Sequence, residues 1–381
     1  MKVAIVHDYL NQWGGAERVL EAICELYPRA PIYTSICTPE IAKKFPTHQI
    51  HTSFMQKLPS VLSRHQHYLP FYPAALESFN LSEYDLVVSS SSAWAKGVIT
   101  PPETLHICYC HSPMRFVWQR REYMEREQLG RVSKMILPFV LSYVRLWDVV
   151  SSSRPDFYVA NSHTVEERIR NYWNREADVI YPPVSVQRVP FNVGPRQDFY
   201  LIVGRLVPYK RIDVTIEAFR QLNRPLKVVG SGRDLESLKK LAGPKTEFVG
   251  NISDVELWKL YSQCRAFVQT GAEDFGITLV EAMAGGAPVI AIHRYGPAET
   301  VIEGKTGLFF EEQTPEALSE AVLRFEAQYQ LFDSAHIRRH AEGFDRELFI
   351  RRFGEYVAQR YEEHRIALTS TTRSDRVRSY R

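Results

Sequence analysis

The sequence has little cysteine, and its spacing suits neither a disulfide framework nor a metal site. Its five cysteines include no C-x-x-C pair. Most of them lie among apolar residues, which is typical of buried, reduced thiols. We therefore expect no disulfides and no cysteine-bound metal, as in a cytoplasmic protein. The five are Cys24, Cys37, Cys108, Cys110 and Cys264.

The sequence also lacks an apolar run long enough to cross a membrane. The best candidate, residues 135–144, contains Pro138 and is followed by Arg145, so it falls well short of the ~20 residues that a span needs. Residues 3–6 are too few for the apolar part of a signal peptide. A formal net charge of +3 is too small to indicate nucleic acid as a partner. We expect a cytoplasmic protein without a membrane span.

Two ligand-binding motifs are missing as well. No D-x-D motif occurs, which disfavours a diphosphate bridged to the protein by a metal ion. A glycine loop with Gly230 and Gly232 suggests a dinucleotide site, but the G-x-G-x-x-G pattern would need glycine at 235, where the chain has Leu235. An NAD(P)-linked oxidoreductase is therefore disfavoured, although paired dinucleotide-type domains would suit one.

What is present is a pattern of alternating strands and helices that occurs twice. The chain has 381 residues, with 45% hydrophobic and 24% charged residues, so two soluble α/β domains are the natural expectation. Prolines cluster at 182, 183, 190 and 195 and mark a boundary. We predict Rossmann-like domains over 1–185 and 197–345, a linker over 186–196, a helix over 346–365 that crosses back to the first domain, and a disordered tail over 366–381.

The most informative stretch is 271–291, which is predicted to form a loop, a helix and a turn between two buried strands. The helix begins near Phe275 and stops at Gly285-Gly286. Unpaired N–H groups at such a helix start favour an anion. Glu273 precedes the helix and Glu281 lies inside it. Carboxylates can bind sugar hydroxyls, so this stretch predicts a nucleotide-sugar site.

Three other loops follow predicted strands, where α/β proteins bind ligands. Gly14 and Gly15 follow the first strand, and glycines there let the backbone approach a phosphate. His111 ends the strand over 105–110. Arg205 and Lys210 follow the strand over 199–203, where cations can neutralise a diphosphate.

The string G-A-E-D-F-G-I-T-L-V-E-A-M-A-G-G-A-P-V-I-A, with its Glu-x7-Glu spacing, resembles the signature of the retaining GT-B glycosyltransferases of family 4. G-R-L-V-P-Y-K-R at 204–211 is similar to the family's diphosphate segment, and Y-C-H-S-P at 109–113 to the segment whose histidine faces the donor sugar. The resemblance spans roughly residues 1–365. It implies a GT-B fold, with two Rossmann-like α/β domains facing each other across a cleft, the first for the acceptor and the second for the nucleotide sugar.

The resemblance also implies roles for single residues. Arg205 and Lys210 would stabilise the departing diphosphate, Glu273 would bind the donor hexose and Glu281 the ribose. We therefore predict four residues at the reaction centre, which are Arg205, Lys210, Glu273 and His111. The predicted donor-binding residues are Gly14, Gly15, Gly204, Phe248, Gly250, Asp274, Phe275, Gly276, Ile277, Thr278, Leu279 and Glu281. No metal and no cofactor is expected beyond the nucleotide-sugar substrate.

Among family members, the chain is most similar to bacterial mannosyltransferases of polysaccharide and O-antigen assembly. This implies transfer of mannose from GDP-mannose, with retention, to a glycan or lipid-linked saccharide. The alternatives are a UDP-sugar-dependent enzyme of the same fold, a sugar-nucleotide epimerase and a non-catalytic scaffold. The scaffold predicts lost site residues, whereas Arg205, Lys210, Glu273 and Glu281 are all present.

Two segments of the first half mix basic and aromatic residues in a way that is typical of membrane-surface helices. They are residues 54–72 and 115–147. Such segments can bind anionic lipid, or they can pack internally. The first interpretation predicts peripheral attachment to the inner face of the plasma membrane.

Overall fold

The computed structural model describes residues 1–119, 131–192 and 194–378. Its contacts divide the chain into two compact units. Among the described residues, the first unit contains those up to Ile180 together with those from Phe349 onward, and the second contains Tyr181–Leu348. The chain thus returns to its first unit at the end.

The first unit is built on a seven-stranded parallel sheet with the order β3-β2-β1-β4-β5-β6-β7. Its strands are β1 (Val3–His7), β2 (Ile32–Thr34), β3 (Ile50–Thr52), β4 (Leu86–Ser91), β5 (Leu105–Cys110), β6 (Phe157–Ala160) and β7 (Asp178–Val179). The helices in this part of the chain are α1 (Gly15–Leu26), α2 (Pro39–Ala42), α3 (Val61–Arg64), α4 (Tyr72–Glu77), α5 (Arg115–Trp118), α6 (Arg131–Ser151) and α7 (His163–Trp173).

The second unit contains a six-stranded parallel sheet with the order β10-β9-β8-β11-β12-β13. Its strands are β8 (Tyr200–Val203), β9 (Leu226–Val229), β10 (Thr246–Gly250), β11 (Ala266–Gln269), β12 (Val289–Ile292) and β13 (Gly307–Phe310). The remaining helices are α8 (Ile212–Leu222), α9 (Leu235–Leu241), α10 (Asp254–Gln263), α11 (Ile277–Ala284), α12 (Gly296–Thr300), α13 (Pro315–Gln328), α14 (Ser334–Ala341) and α15 (Arg346–Arg378).

Both sheets are parallel throughout, which explains why their strands are short apolar runs rather than alternating ones. A parallel sheet carries helices on both faces, so side chains on both sides of each strand are buried. β4 and β12, for example, are buried along their whole length. The predicted α/β class with two Rossmann-like units is confirmed.

The end of the chain packs into the core of the first unit. Phe349, Phe353 and Val357 of α15 join the core cluster that contains Ile5 of β1. The ring centroids of Phe349 and Phe353 lie 5.6 and 5.8 Å from that of Tyr109 in edge-on contacts. The predicted helix over 346–365 is therefore part of the first unit, and the structure continues it to Arg378.

The residues predicted as a linker belong to the second unit. Val186 and Val189 are buried in its core, and the Arg196 guanidinium donates to the carbonyl oxygen of Gly285 at 2.7 Å. The backbone N–H of Val184 also donates to the Phe344 carbonyl at 3.1 Å. The prediction of a linker over 186–196 is therefore wrong. The prolines indicated a boundary, but the valines between them are buried in the core of the second unit.

All five cysteines are free and buried, as predicted. Burial raises the pKa of the Cys24 and Cys264 thiols to about 12, so both stay protonated at neutral pH. Within the ranges that the structure describes, no helix combines the length and the apolar character that a membrane span needs.

Candidate functional site

The sheet of the second unit has its topological switch point between β8 and β11, which are hydrogen-bonded neighbours. The chain leaves these two strands in opposite directions along the sheet, so the loops that follow them separate and leave a crevice. Residues 204–211 follow β8, and residues 270–276 follow β11. These are the two loops in which the sequence places the cations and Glu273.

An ion pair joins the two loops. Lys210 donates from Nζ to Oε1 of Glu273, and Gln269 donates from Nε2 to the same oxygen at 3.3 Å. The Lys210 and Glu273 side chains are 19% and 18% exposed, so both are reachable while being held in place. The structure therefore brings together two of the residues that the sequence predicts at the reaction centre.

Backbone contacts near the switch point leave no room for a side chain at two glycines. A Cβ on Gly271 would lie 2.9 Å from the Lys210 carbonyl oxygen, and one on Gly230 would lie 2.0 Å from that of Gly204. The Thr270 hydroxyl donates to the Arg211 carbonyl at 2.8 Å. These contacts explain the glycines at 271 and 230, and they hold Lys210 opposite Glu273.

The loop before α11 is held from the other side by the start of α12. The Gly296 N–H donates to the Glu273 carbonyl at 2.9 Å, and a Cβ on Gly296 would lie 2.4 Å from Cα of Phe275. Gly276, the residue before α11, has φ +90°, a conformation that favours glycine. The predicted helix start is confirmed, and no side chain caps it.

The predicted donor-binding residues of this loop and helix divide by exposure. Asp274, Gly276, Ile277 and Thr278 are partly exposed. Phe275 and Leu279 have their side chains in the core, so only their backbone groups are available to a ligand. The motif in the sequence does not distinguish the two kinds, because an amphipathic helix start contains both.

Glu281 is a buried carboxylate, only 2% exposed. The Tyr261 hydroxyl of α10 donates to its Oε2 at 3.1 Å. A buried carboxylate requires hydrogen-bond partners, and Tyr261 is one that the sequence analysis missed. Its binding to ribose stays a prediction.

Arg205 is exposed and lies beside Tyr209. Its Nη2 donates to the Tyr209 hydroxyl at 2.6 Å, and the Tyr209 ring centroid is 5.9 Å from the guanidinium carbon and 5.5 Å from Nζ of Lys210. Cations at this range interact favourably with an aromatic face. Tyr209 therefore associates with both predicted diphosphate cations, although the sequence analysis assigned it no role.

Phe248 and Gly250 lie in β10, at the edge of the same sheet. Gly250 has φ +79°, and its carbonyl accepts from the Gly230 N–H at 2.9 Å. Phe248 is partly buried against the core. The part of these two residues in donor binding stays a prediction.

The first unit contains the other predicted residues, again near a switch point, here between β1 and β4. Gly14 precedes α1 and Gly15 begins it. His111 follows β5 and is 9% exposed, and its Nε2 lies 2.8 Å from the Ser90 hydroxyl of β4. Ser90 has no signal of its own in the sequence, because its partner depends on the strand order.

Asp8 is a second buried residue at this point that the sequence analysis missed. Its carboxylate accepts from the backbone N–H groups of Ser92, Trp94 and Ala95 at 2.6 to 2.8 Å. It thus joins the end of β1 to the turn after β4. Among the residues described, no group of three or more histidine, cysteine or acidic side chains could hold a metal ion.

Comparison with known proteins agrees with this architecture. Residues 13–188 match the model of Glycosyltransferase Family 4, and residues 186–339 match that of Glycosyl transferases group 1. Together the two matches span residues 13–339, with the family 4 match first. Solved structures with the same fold include Anabaena HepE in complex with UDP and glucose, with a TM-score of 0.71 and 18% identity over 94% of this chain and 99% of that one. Sucrose-phosphate synthase from Thermosynechococcus elongatus has a TM-score of 0.74 and 18% identity over 95% of this chain and 100% of that one. The two units have the fold of GT-B glycosyltransferases.

Curated relatives match at low identity. An uncharacterized glycosyltransferase of Methanocaldococcus jannaschii is 29% identical over 45% of this chain and 50% of its own length. The alpha-1,3/1,6-mannosyltransferase ALG2 of Saccharomyces cerevisiae is 28% identical over 51% of this chain and 47% of its own length. A GDP-mannose-dependent phosphatidylinositol monomannoside mannosyltransferase of Mycobacterium tuberculosis is 33% identical over 35% of this chain and 40% of its own length. The chain spans about half the length, or less, of these relatives.

Proposed function

We propose that the protein is a retaining hexosyltransferase that uses a nucleoside diphosphate sugar. The observation that carries the proposal is the Lys210–Glu273 ion pair across the switch point of the second unit. The pair supports the proposal because a cation, which can neutralise a diphosphate, lies beside a carboxylate, which can bind sugar hydroxyls, within the residues that match Glycosyl transferases group 1. An α/β protein binds ligands at this point of the sheet.

In the proposed reaction, the bond between the anomeric carbon and the diphosphate oxygen breaks, and an acceptor hydroxyl oxygen bonds to that carbon from the same face. The acceptor proton passes to the departing phosphate, so no protein nucleophile is required. Lys210, together with Arg205, stabilises the negative charge that develops on the diphosphate. Glu273 orients the hexose, and this reaction requires no metal ion.

We propose GDP-mannose as the donor. Support comes from two relatives, one named an alpha-1,3/1,6-mannosyltransferase and one a GDP-mannose-dependent mannosyltransferase. A UDP-sugar is the second candidate, because the structurally similar HepE was crystallised with UDP and glucose. We expect the loop at the end of β10, which contains Gly250, to determine which nucleotide base the protein binds.

Thermal denaturation with a panel of nucleotides tests the donor. We expect GDP and GDP-mannose to raise the melting temperature more than UDP and UDP-glucose at equal concentration, because a ligand that binds only the folded state stabilises it. Release of GDP from GDP-mannose should continue in EDTA. Stronger stabilisation by UDP would favour the second candidate, and turnover that requires added magnesium or manganese would contradict the metal-independent mechanism.

We further propose a glycan or lipid-linked saccharide acceptor of cell-surface polysaccharide synthesis, reached at the cytoplasmic face of a membrane. Support comes from α6, which has one apolar face in the core and another exposed. Leu141 and Val144 are buried, whereas Met135 and Phe139 are 68% and 76% exposed. Further exposed apolar residues on this helix are Ile136, Tyr143, Leu146, Val149 and Val150.

The other predicted membrane segment, residues 54–72, is divided in the same way. Met55 and Tyr72 are core residues, while Phe54 and Phe71 are 43% and 48% exposed. Part of the basic character of residues 115–147 falls on 120–130, which lie outside the described residues. Exposed aromatic side chains with basic neighbours bind anionic membranes reversibly.

Liposome flotation tests this face. We expect the protein to float with vesicles that contain anionic lipid at low salt, and Phe139→Asp to abolish flotation, because a charge replaces the most exposed aromatic ring of α6. The matched control is Leu331→Asp, which changes an equally exposed apolar residue of the second unit and should leave flotation unchanged. Equal flotation of both variants, or self-association through α6 without vesicle binding, would contradict a membrane role.

A further inference from the structure

Three residues of the second unit, each in a loop that follows a strand, form a closed ring of hydrogen bonds beside Lys210. The Thr270 hydroxyl, after β11, donates to the Arg211 carbonyl at 2.8 Å. The Arg211 guanidinium, after β8, donates to the Gln313 carbonyl at 3.3 Å. The Gln313 side-chain amide, after β13, donates to the Thr270 carbonyl at 2.7 Å. The ring thus joins the loops that contain Lys210 and Glu273 to each other and to a third loop.

A buried threonine of α8 anchors this ring. The hydroxyl oxygens of Thr215 and Thr270 lie 3.0 Å apart, and both residues are 0% exposed. A hydroxyl has one proton and a carbonyl only accepts, so the Thr270 proton points to Arg211 and the Thr215 hydroxyl donates to Thr270. Buried polar groups need such partners. Together with Gln313, these two threonines form a loop clamp, whose hydrogen bonds are satisfied only while the loop after β8 stays in place.

Arg211 has a backbone conformation that needs support. Its φ is +53°, in the left-handed region that is uncommon for a residue with a side chain. Such a conformation persists where the surrounding structure holds it. The carbonyl and the guanidinium of Arg211 are both bonded within the ring, and the guanidinium also pairs with Asp213 at 3.3 Å. The ring therefore holds the direction of the chain at the residue directly after Lys210.

We propose that the residues of the loop clamp are positioning residues, which hold the turn at Arg211 and thereby direct the Lys210 ammonium to Glu273. The backbone of Lys210 is in contact with the clamped loop. Thr270 Oγ1 lies 3.4 Å from its carbonyl oxygen, and a Cβ on Gly271 would lie 3.0 Å from its Cα. A side chain on a fixed backbone needs less reorganisation to reach its partner. The importance of this for turnover rests on the proposed function, in which Lys210 stabilises the departing diphosphate.

Thr270→Val is the variant that tests the loop clamp. Valine has nearly the shape of threonine but no hydroxyl, so the variant removes the hydrogen bonds to Arg211 and Thr215 without opening a cavity. It leaves Lys210 and Glu273 in the chain. Thr270→Ser keeps the hydroxyl, and we expect it to retain most of the native behaviour in each measurement.

The first measurement needs no donor and uses the proton–carbon spectrum of the full chain labelled with ¹³C-lysine. The Tyr209 ring centroid lies 5.5 Å from Lys210 Nζ, so a lysine held beside this ring gives different signals for its two Cε protons, whereas a freely moving lysine gives one averaged signal. Lys210→Arg assigns the signals. We expect two signals in the native protein and one in Thr270→Val. A single signal in the native protein, or two unchanged signals in Thr270→Val, would overturn the proposal.

Thr306→Val is the matched control. Thr306 is also 0% exposed and belongs to the same unit, and its hydroxyl oxygen accepts from the Ile302 N–H at 2.8 Å. The variant therefore removes a buried hydroxyl and a hydrogen bond to the backbone outside the ring, and it should leave the Lys210 signals unchanged. Averaged Lys210 signals in this variant as well would mean that any weakening of the unit frees the lysine, which would contradict a specific role of the loop clamp.

Turnover shows whether the loop clamp acts through Lys210. Once a donor is known, we expect Thr270→Val to lower kcat about tenfold or more, because a misplaced group loses much of its effect, with KM little changed. Adding Thr270→Val to Lys210→Ala should cause no further loss, because no ammonium is then left to direct. An unchanged kcat in Thr270→Val, or a further loss of the same size in the double variant, would overturn the positioning role.

The two measurements also separate this proposal from the proposed function. If the native protein turns over no sugar nucleotide, the proposed function fails, while the lysine spectrum still decides whether the loop clamp holds Lys210. If the native protein is active and the Lys210 signals do not depend on Thr270, the proposed function stands and the loop clamp is rejected.

Discussion

Replacing Lys210 with alanine is expected to lower turnover by roughly 10²- to 10³-fold, which is the effect of removing one group that stabilises developing negative charge. Lys210 follows β8 and pairs with Glu273 across the switch point. Its side chain is partly exposed, so its removal creates no cavity in the core. The second unit should remain folded, and GDP release from GDP-mannose measures the loss.

The matched control for this prediction is Lys227→Ala. Lys227 lies on β9 of the same unit and pairs with Glu247 at 3.0 Å, so the variant also removes one partly exposed lysine from an ion pair. It should retain nearly full activity. A rise in KM with unchanged kcat in Lys210→Ala would mean that the lysine binds donor and transition state equally well, and near-native kinetics would contradict its assignment to the diphosphate.

The architecture of the site could be predicted from the sequence because its parts are local. Each strand is a short apolar run, and the loop that follows it contains the glycines and charges. Lys210 and Glu273 were both placed at strand ends, and the order of strands then brings them together. The glycines of these loops also had a local signal, although their partners, such as Gly204 for Gly230, are distant in the chain.

The parts that the sequence did not reveal depend on pairing between distant elements. Ser90 lies beside His111 only because β4 is adjacent to β5 in the sheet. Tyr261 reaches Glu281 only because α10 packs beside α11. Val186 and Val189 lie in a proline-rich stretch that resembles a linker, and only the tertiary structure shows the core in which they are buried. No periodicity or motif within one segment contains this information.

The second large effect is expected at a buried charge cluster in the first unit. Lys96 and Asp148 are both fully buried, and Lys96 Nζ donates to Oδ1 of Asp148 at 2.7 Å. Oδ2 of Asp148 accepts from the indole N–H groups of Trp118 and Trp173, each at 2.7 Å. The cluster joins α6 to three other parts of the unit. Removing one partner of a buried pair leaves the other charge without compensation.

We expect Asp148→Asn to lower the free energy of unfolding of the first unit by about 3–5 kcal/mol, since it leaves the Lys96 ammonium buried beside a neutral group. The asparagine oxygen can still accept from an indole, so the loss reports mainly on charge. Lys96→Met removes the cation alone. In the double variant no buried charge remains, and we expect it to be more stable than Asp148→Asn, with a coupling free energy of about 2–3 kcal/mol. Urea unfolding followed by tryptophan fluorescence measures all three.

The control is Glu83→Gln, which breaks the exposed pair with Lys2 and should change the free energy by about 1 kcal/mol at most. If the losses of the two single variants add up in the double variant, the prediction is contradicted, because each charge is then compensated by its other partners. For Lys96 that partner is the Ala93 carbonyl, which accepts from Nζ at 3.0 Å, and for Asp148 it is the two indoles.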